Sequence, residues 1–150
     1  MSSQDVTSSA VESTDNGTYK HATRPVCIVT GGSLGIGHAV CKLFSENGYQ
    51  VINLDIRDFE HALPNTTWKP CDVSVVSNVE AAIAEVLITY KRIDALVCNA
   101  GMHVSATIED TDEALLDKVL NLNVKGAYAA IKSCLPTMKD QRNGAIVVMG

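Results

Sequence analysis

Apolar and polar positions follow two different periodicities from residue 25 onward, and their alternation predicts an α/β protein. Five short runs are apolar or strictly alternating, as strands are; they cover residues 25–30, 49–55, 66–70, 93–98 and 144–150. Apolar residues at helical spacing separate most of these runs; they extend from Ile36 to Phe44, from Val75 to Tyr90 and from Leu115 to Leu135. Because strands that alternate with helices form parallel sheets, we expect a doubly wound parallel sheet with helices on both faces.

Capping residues and loop lengths predict where some of these elements end. Thr111 is a good N-cap for the last helix, with acidic residues directly after it, and Pro136 is expected to close that helix. The connection over residues 56–65 is shorter than most crossovers between parallel strands, so we expect no full helix there. Residues 1–24 are rich in Ser and Thr and almost lack large apolar side chains, which predicts a disordered tail ahead of a domain over residues 25–150.

Composition narrows the classes of function. A chain of 150 residues with a net charge of −5 and no basic stripe argues against a nucleic-acid partner. No apolar run approaches the ~20 residues of a membrane span, so we expect no membrane partner. The histidines lack ligand spacing, and no metal site is expected. The five cysteines are odd in number and scattered, which is typical of small buried side chains in a reducing compartment and predicts a cytoplasmic protein; they are Cys27, Cys41, Cys71, Cys98 and Cys134.

A glycine-rich turn between the first strand and the first helix is the main candidate for chemistry. The free N–H groups and the positive dipole end of that helix point at the turn, where a pyrophosphate can lie. In this interpretation Gly31 makes the sharp turn, Gly35 lets the backbone approach phosphate, and Gly37 lets the helix pack closely on the strand. The alternative is a tight turn without a ligand, since a glycine pattern alone is a weak signal.

Asp55 ends the second strand near the ~20-residue offset at which dinucleotide-binding folds place an acid for the ribose hydroxyls. A carboxylate there repels a 2′-phosphate, so NAD is expected as the cofactor and NADP is the less favoured one. Arg57, two residues later, is a cation that would favour the 2′-phosphate of NADP. The alternative for Asp55 is an acid that only ends a strand and opens a turn.

Four segments in one order resemble the short-chain dehydrogenases/reductases. The turn Thr30-Gly31-x-x-x-Gly35-Ile36-Gly37 resembles the cofactor loop of that family, and Asp72-Val73 resembles its step against the adenine ring. Asn99-Ala100-Gly101 matches the end of the family's Asn-Asn-Ala-Gly, with Cys98 in place of the first Asn. Asn123 matches the Asn that kinks the following helix and helps to relay protons. The resemblance covers residues 25–150.

The resemblance implies a Rossmann-like sheet in the strand order 3-2-1-4-5, with the cofactor across the switch point between strands 1 and 4. It implies cofactor contacts from Gly31, Ser33, Leu34, Gly35, Ile36, Gly37, Asp55, Asp72, Val73, Asn99, Ala100 and Gly101, and a catalytic role for Asn123. Two of these residues have plainer alternatives. Asp72, with Ser74, would only cap a helix, and Asn123 would be a buried core amide.

The implied activity is that of an NAD-dependent oxidoreductase that transfers hydride between nicotinamide and a small alcohol or carbonyl substrate. In this family a Ser follows the fifth strand and a Tyr-x-x-x-Lys pair comes after it, and neither lies within the 150 residues. Tyr128 and Lys132 have the right spacing but precede the fifth strand, so we reject them as that pair. We therefore expect a chain truncated after the fifth strand and inactive by itself, and a homo-oligomer in a full-length form.

Two other kinds of protein remain open. The chain would instead be a catalytically inactive NAD-binding module that acts through a protein partner. A methyltransferase fits less well, because its glycine loop has a different spacing and Asn99-Ala100-Gly101 would be unexplained.

Overall fold

The computed structural model describes residues 24–150, and the predicted disordered tail lies outside the described residues except for Arg24. The strands are β1 (Val26–Thr30), β2 (Gln50–Asp55), β3 (Thr66–Pro70), β4 (Ala95–Cys98) and β5 (Ala145–Val148). The helices are α1 (Gly35–Glu46), α2 (Val76–Tyr90), α3 (Glu113–Leu120) and α4 (Ala127–Gln141), and a π-helical segment, Asn121–Gly126, joins α3 to α4.

The five strands form one parallel sheet in the order β3-β2-β1-β4-β5, which confirms the predicted topology. In the centre, Cys27 of β1 lies opposite Val51 of β2 and Ala95 of β4. All five residues of β1 are buried. A strand covered on both faces buries the side chains at successive positions, and this explains why Val26–Val29 are all apolar rather than alternating with polar residues.

Two apolar layers cover the sheet. On one face Ile28, Ile52 and Leu96 pack with residues of α2 and α4, and on the other face Val29 and Val51 pack with α1. The second layer also contains Phe59 and Leu63 from the β2–β3 connection. That connection contains no helix, as its length predicted, and these two side chains cover the sheet in its place.

All five cysteines are buried and free, in agreement with their predicted packing role. Burial raises the pKa of each thiol, to about 11 for Cys71 and Cys98, because a thiolate loses hydration inside the protein. These thiols are therefore protonated at neutral pH.

Asp94 connects the amino-terminal ends of two central strands. Its Oδ2 accepts the N–H of Val26 at 2.7 Å, and the Arg92 guanidinium donates to both carboxylate oxygens at 2.8 and 2.7 Å. Burial raises the pKa of Asp94, but the hydrogen bonds from Arg92 and Val26 and the charge of Arg92 outweigh it, so the pKa lies below its usual range.

The last helix differs from its prediction at both ends. The N-cap is Asp112 rather than Thr111: Asp112 Oδ1 accepts the N–H of Leu115 at 2.7 Å, whereas the Thr111 hydroxyl donates to the carbonyl of Thr107. Pro136 does not close the helix but lies inside α4. Cys134 and Met138 on either side of it are buried against the sheet, and this packing offsets the missing backbone hydrogen bond.

β5 forms one edge of the sheet, and most of it is exposed. Val147 and Val148 are 49% and 55% exposed. Among the helices within residues 24–150, none has the length and apolar character needed to cross a membrane.

Candidate functional site

A cleft of about 470 Å³ opens at the carboxyl ends of the parallel strands. This is the end at which open α/β sheets bind ligands. Most of the residues predicted to contact a cofactor line it, namely Gly31, Ser33, Leu34, Asp55, Asp72, Val73, Asn99, Ala100 and Gly101. Gly35, Ile36 and Gly37 lie beside the cleft at the start of α1, and Asn123 lies outside its lining.

Close packing excludes a side chain at several glycines of the turn, among them Gly31 and Gly37. Gly31 has φ +68°, and a Cβ there would lie 2.8 Å from Cα of Ala100. A Cβ at Gly37 would lie 2.1 Å from the backbone oxygen of Gly31, closer than any real contact. The geometry therefore agrees with the sharp turn and the close helix packing that the sequence predicted for these positions.

Gly35 differs from both in its surroundings. Its φ is +56°, but a Cβ there would meet no atom within 4 Å. The backbone at this position faces open space. Leu34 precedes α1 without a side-chain cap, and the N–H of His38 donates to the Leu34 carbonyl at 3.2 Å. The N–H groups ahead of His38 have no carbonyl one turn back in the helix, and such groups bind anions.

Asp55 lies where β2 meets the glycine-rich turn. Its Oδ2 accepts the N–H of Ser33 at 3.0 Å, and its Oδ1 accepts the N–H of Arg57 at 3.1 Å. Each carboxylate oxygen keeps a further lone pair for a ligand. Arg57 lines the same part of the cleft.

Asn53 takes part in the site although its pattern in the sequence suggested only a strand residue. It is fully buried; its Oδ1 accepts the N–H of Gly32 at 2.8 Å, and its Nδ2 donates to the Ser33 hydroxyl at 2.8 Å. A carboxamide inside an apolar strand is the signal that could have found it, since buried polar groups need partners.

Thr30 is a second residue with a role that sequence reasoning missed. Its Oγ1 accepts the N–H groups of Asn99 and Ala100 at 3.0 and 3.1 Å. In return, Asn99 Nδ2 donates to the carbonyls of Gly31 and Thr30 at 2.9 and 3.2 Å. Asn99 thus holds the glycine-rich turn with its side chain. The sequence signal for the role of Thr30 was its position directly ahead of the glycines.

Asp72 and Ser74 do not cap α2, so that alternative is wrong. Asp72 Oδ1 accepts both the N–H and the hydroxyl of Ser74, at 3.0 and 2.6 Å, while the N-cap is Val75 without a side-chain bond. The helix begins at Val76, and these two side chains bond to each other rather than to its first N–H groups. Val73 is buried beside Gly126, where a Cβ would lie 2.7 Å from the Val73 carbonyl oxygen.

Asn123 lies in the π-helical segment and is exposed, so it is not a buried core amide. Its Oδ1 accepts the N–H of Met102 at 2.8 Å, and its Nδ2 donates to the Met102 carbonyl at 2.9 Å. The pair joins the helix to the loop after β4. The widened π turn lies where the sequence predicted a kink.

Tyr128 and Lys132 share one side of α4, and neither lines the cleft. Lys132 Nζ lies 6.0 Å from the centre of the Tyr128 ring and forms an ion pair with Glu80 of α2 at 3.5 Å. This position agrees with our rejection of them as a catalytic pair.

The model of the family described as short chain dehydrogenase matches residues 25–150. L-fucose dehydrogenase of Mus musculus is 34% identical over 127 residues, which are 81% of this chain and 46% of that protein. Short-chain dehydrogenase reductase ATA1 of Arabidopsis thaliana is 36% identical over 134 residues, 85% of this chain and 49% of that protein. The chain therefore spans about half the length of the curated relatives that it matches.

Solved structures agree with this assignment. The aldohexose dehydrogenase of Thermoplasma acidophilum superposes with a TM-score of 0.77 at 34% identity, over 83% of this chain and 48% of that one. ElxO, solved with NADP bound, has a TM-score of 0.77 at 28% identity, over 83% of this chain and 54% of that one. Fold, strand order and sequence all lead to one conclusion: the chain belongs to the short-chain dehydrogenase family.

Proposed function

We propose that residues 25–150 form the cofactor-binding domain, and the amino-terminal part, of an NAD-dependent oxidoreductase that acts on a small alcohol or carbonyl substrate. The observation that carries the proposal is the position of the Asp55 carboxylate, at the cleft and beside the glycine-rich turn. The nicotinamide cofactor supplies hydride transfer when bound. The residues of this chain bind and orient that cofactor.

The residues around the turn fit a dinucleotide. The open space at Gly35 and the uncapped start of α1 suit the pyrophosphate, which needs backbone N–H groups and a close backbone approach. Asp72 and Val73 line the cleft beyond Asp55 and suit the adenine. Asn99, Ala100 and Gly101 line it at the end of β4 and suit the nicotinamide side.

The preference for NAD rests on charge. The free lone pairs of Asp55 can accept hydrogen bonds from ribose hydroxyls, and bonds of this kind to a charged group contribute about 1.5–3 kcal/mol. A 2′-phosphate at the same place would add a second anion beside the carboxylate. Arg57 is the nearby cation that would favour NADP, and ElxO, a structural relative, was solved with NADP bound.

Saturation-transfer NMR with NAD and NADP tests the proposal, because it detects even weak binding. We expect the chain to bind NAD more tightly than NADP. The substitution Asp55→Asn should reduce or reverse that preference. Asp72→Asn is the matched control: it removes the same charge from the same cleft and should leave the ratio of the two affinities unchanged.

Tighter binding of NADP by the unmutated chain would refute the assignment of Asp55. A chain that binds neither cofactor would refute the proposed function as a whole.

For Asn123 we propose a role in relaying protons, supported by its exposed position beside the loop after β4. We also propose a cytoplasmic location, supported by five cysteines that are all free and buried.

A further inference from the structure

A chain of hydrogen bonds connects the interior of β2 to the backbone of Arg57, two residues after Asp55. Asn53 Nδ2 donates to the Ser33 hydroxyl at 2.8 Å, and that hydroxyl donates to the backbone carbonyl of Arg57. Asn53 is 0% exposed and Ser33 is 3% exposed. The Ser33 hydroxyl therefore has both of its partners inside the protein, although Ser33 itself lines the cleft.

The chemistry of the partners sets the direction of every bond in this chain. The N–H of Gly32 can only donate, so it must face Asn53 Oδ1, at 2.8 Å. Asn53 Nδ2 must then donate to Ser33, and the Ser33 proton is left for the Arg57 carbonyl, which can only accept. Asn53 thus orients the Ser33 hydroxyl, and the hydroxyl holds the backbone of Arg57 against the glycine-rich turn.

Asp55 lies between these two anchored backbone segments. One carboxylate oxygen accepts the N–H of Ser33 at 3.0 Å, and the other accepts the N–H of Arg57 at 3.1 Å. If Arg57 is released, one of these two N–H groups moves away from the carboxylate. The carboxylate is then free to rotate away from the cleft, and the Arg57 side chain is free to approach it.

We infer that Asn53 and Ser33 are positioning residues that set the choice between NAD and NADP by holding Asp55 and Arg57 in place. The inference rests on the proposed function, since it assigns the selectivity of that same site. Neither residue needs to touch the 2′ position of the ribose, at which NAD and NADP differ. Both act through the backbone of Arg57.

The variant Ser33→Ala removes the hydroxyl that holds Arg57 and leaves Asp55 intact. We expect the ratio of the NADP to the NAD dissociation constant to fall about two- to tenfold, the effect of one hydrogen bond. Hydrogen exchange at the Arg57 amide should become faster, since its bond to Asp55 loosens.

Ser45→Ala is the matched control. Ser45 is also buried, and its hydroxyl also donates to a carbonyl of the β2–β3 connection, that of Pro64, but it lies at the far end of α1. We expect a loss of stability similar to that of Ser33→Ala, with no change in the affinity ratio. A second variant, Asn53→Ala, should shift the ratio in the same direction as Ser33→Ala.

Three results separate the outcomes. If Ser33→Ala and Asn53→Ala both shift the ratio and Ser45→Ala does not, the inference holds. If the unmutated chain prefers NAD but Ser33→Ala keeps the same ratio, or if Ser45→Ala shifts it equally, the inference is wrong and the proposed function stands. If the unmutated chain binds neither cofactor, the proposed function itself fails.

Discussion

Gly37→Ala should destabilise the fold more than Gly35→Ala, although the two glycines are only two residues apart. A Cβ at Gly37 would lie 2.1 Å from the Gly31 oxygen and 2.5 Å from Asn99 Nδ2. Relief of this overlap requires α1 to move away from the turn, and overpacking of this kind costs about 1–3 kcal/mol. The movement also breaks the hydrogen bond from Asn99 to Gly31, which adds about 0.5–1.5 kcal/mol.

Gly35→Ala meets no atom within 4 Å, so only its φ of +56° opposes the substitution. The left-handed conformation costs a non-glycine residue about 1–2 kcal/mol. Gly48→Ala is the matched control, because Gly48 also combines a positive φ (+84°) with open space and lies away from the cleft.

Urea unfolding of the three variants measures these differences, and a cofactor titration of each separates stability from binding. We expect Gly35→Ala and Gly48→Ala to lower the free energy of unfolding by similar amounts. Of these two variants, only Gly35→Ala should bind NAD more weakly than the unmutated chain. Gly35→Val should abolish NAD binding with little change in far-UV circular dichroism, because its branched side chain fills the space proposed for the pyrophosphate. A Gly37→Ala chain as stable as Gly35→Ala would refute the packing argument.

Three further predictions concern other parts of the chain. Because the pKa of Asp94 is lowered in the folded state, its pairing with Arg92 stabilises the fold above the unfolded pKa of about 3.9, and the benefit is lost as the pH falls through the folded pKa. In urea unfolding, Asp94→Asn should therefore lose more stability relative to the wild type at pH 7 than at pH 3, and an equal loss at both pH values would contradict this. A polypeptide of these 150 residues should self-associate through the apolar edge of β5, and Val147→Lys should reduce that association in sedimentation velocity; an unmutated chain that stays monomeric at high concentration would contradict this. Asn123→Ala should cost about 1–3 kcal/mol in urea unfolding because both bonds to Met102 are lost, and an unchanged midpoint would show that this pair contributes nothing.

The sequence predicted the parallel α/β class because its strongest signals are local and agree with one another, while the strand order came from the resemblance to the short-chain dehydrogenases. The first four residues of β1 are apolar since helices cover both faces of the sheet, and this pattern can be recognised without coordinates. The glycines at 31 and 37 were assigned correctly for the same reason: a strand that turns directly into a helix leaves no room for side chains at these points.

The errors come from tertiary packing that local rules do not include. Pro136 usually marks the end of a helix, but buried neighbours on both sides keep α4 intact through it. Thr111 and Asp112 are both good N-caps, and nothing in their order along the chain decides between them. The role of Asn53 depends on which loop lies above β2, and a reading of one strand at a time cannot show that contact.

Two carboxamide side chains hold the glycine-rich turn from the strands on its two sides, one as a hydrogen-bond acceptor and the other as a donor. Asn53 of β2 accepts the N–H of Gly32, and Asn99, directly after β4, donates to the carbonyl of Gly31. The inward polar groups of the turn are therefore satisfied before any ligand binds, whereas the N–H groups at the start of α1 remain for the ligand. A turn that is already ordered loses little conformational entropy when an anion binds. The same two strands border the cleft, so the contacts that stabilise the turn also fix its position relative to Asp55 on one side and Ala100 on the other.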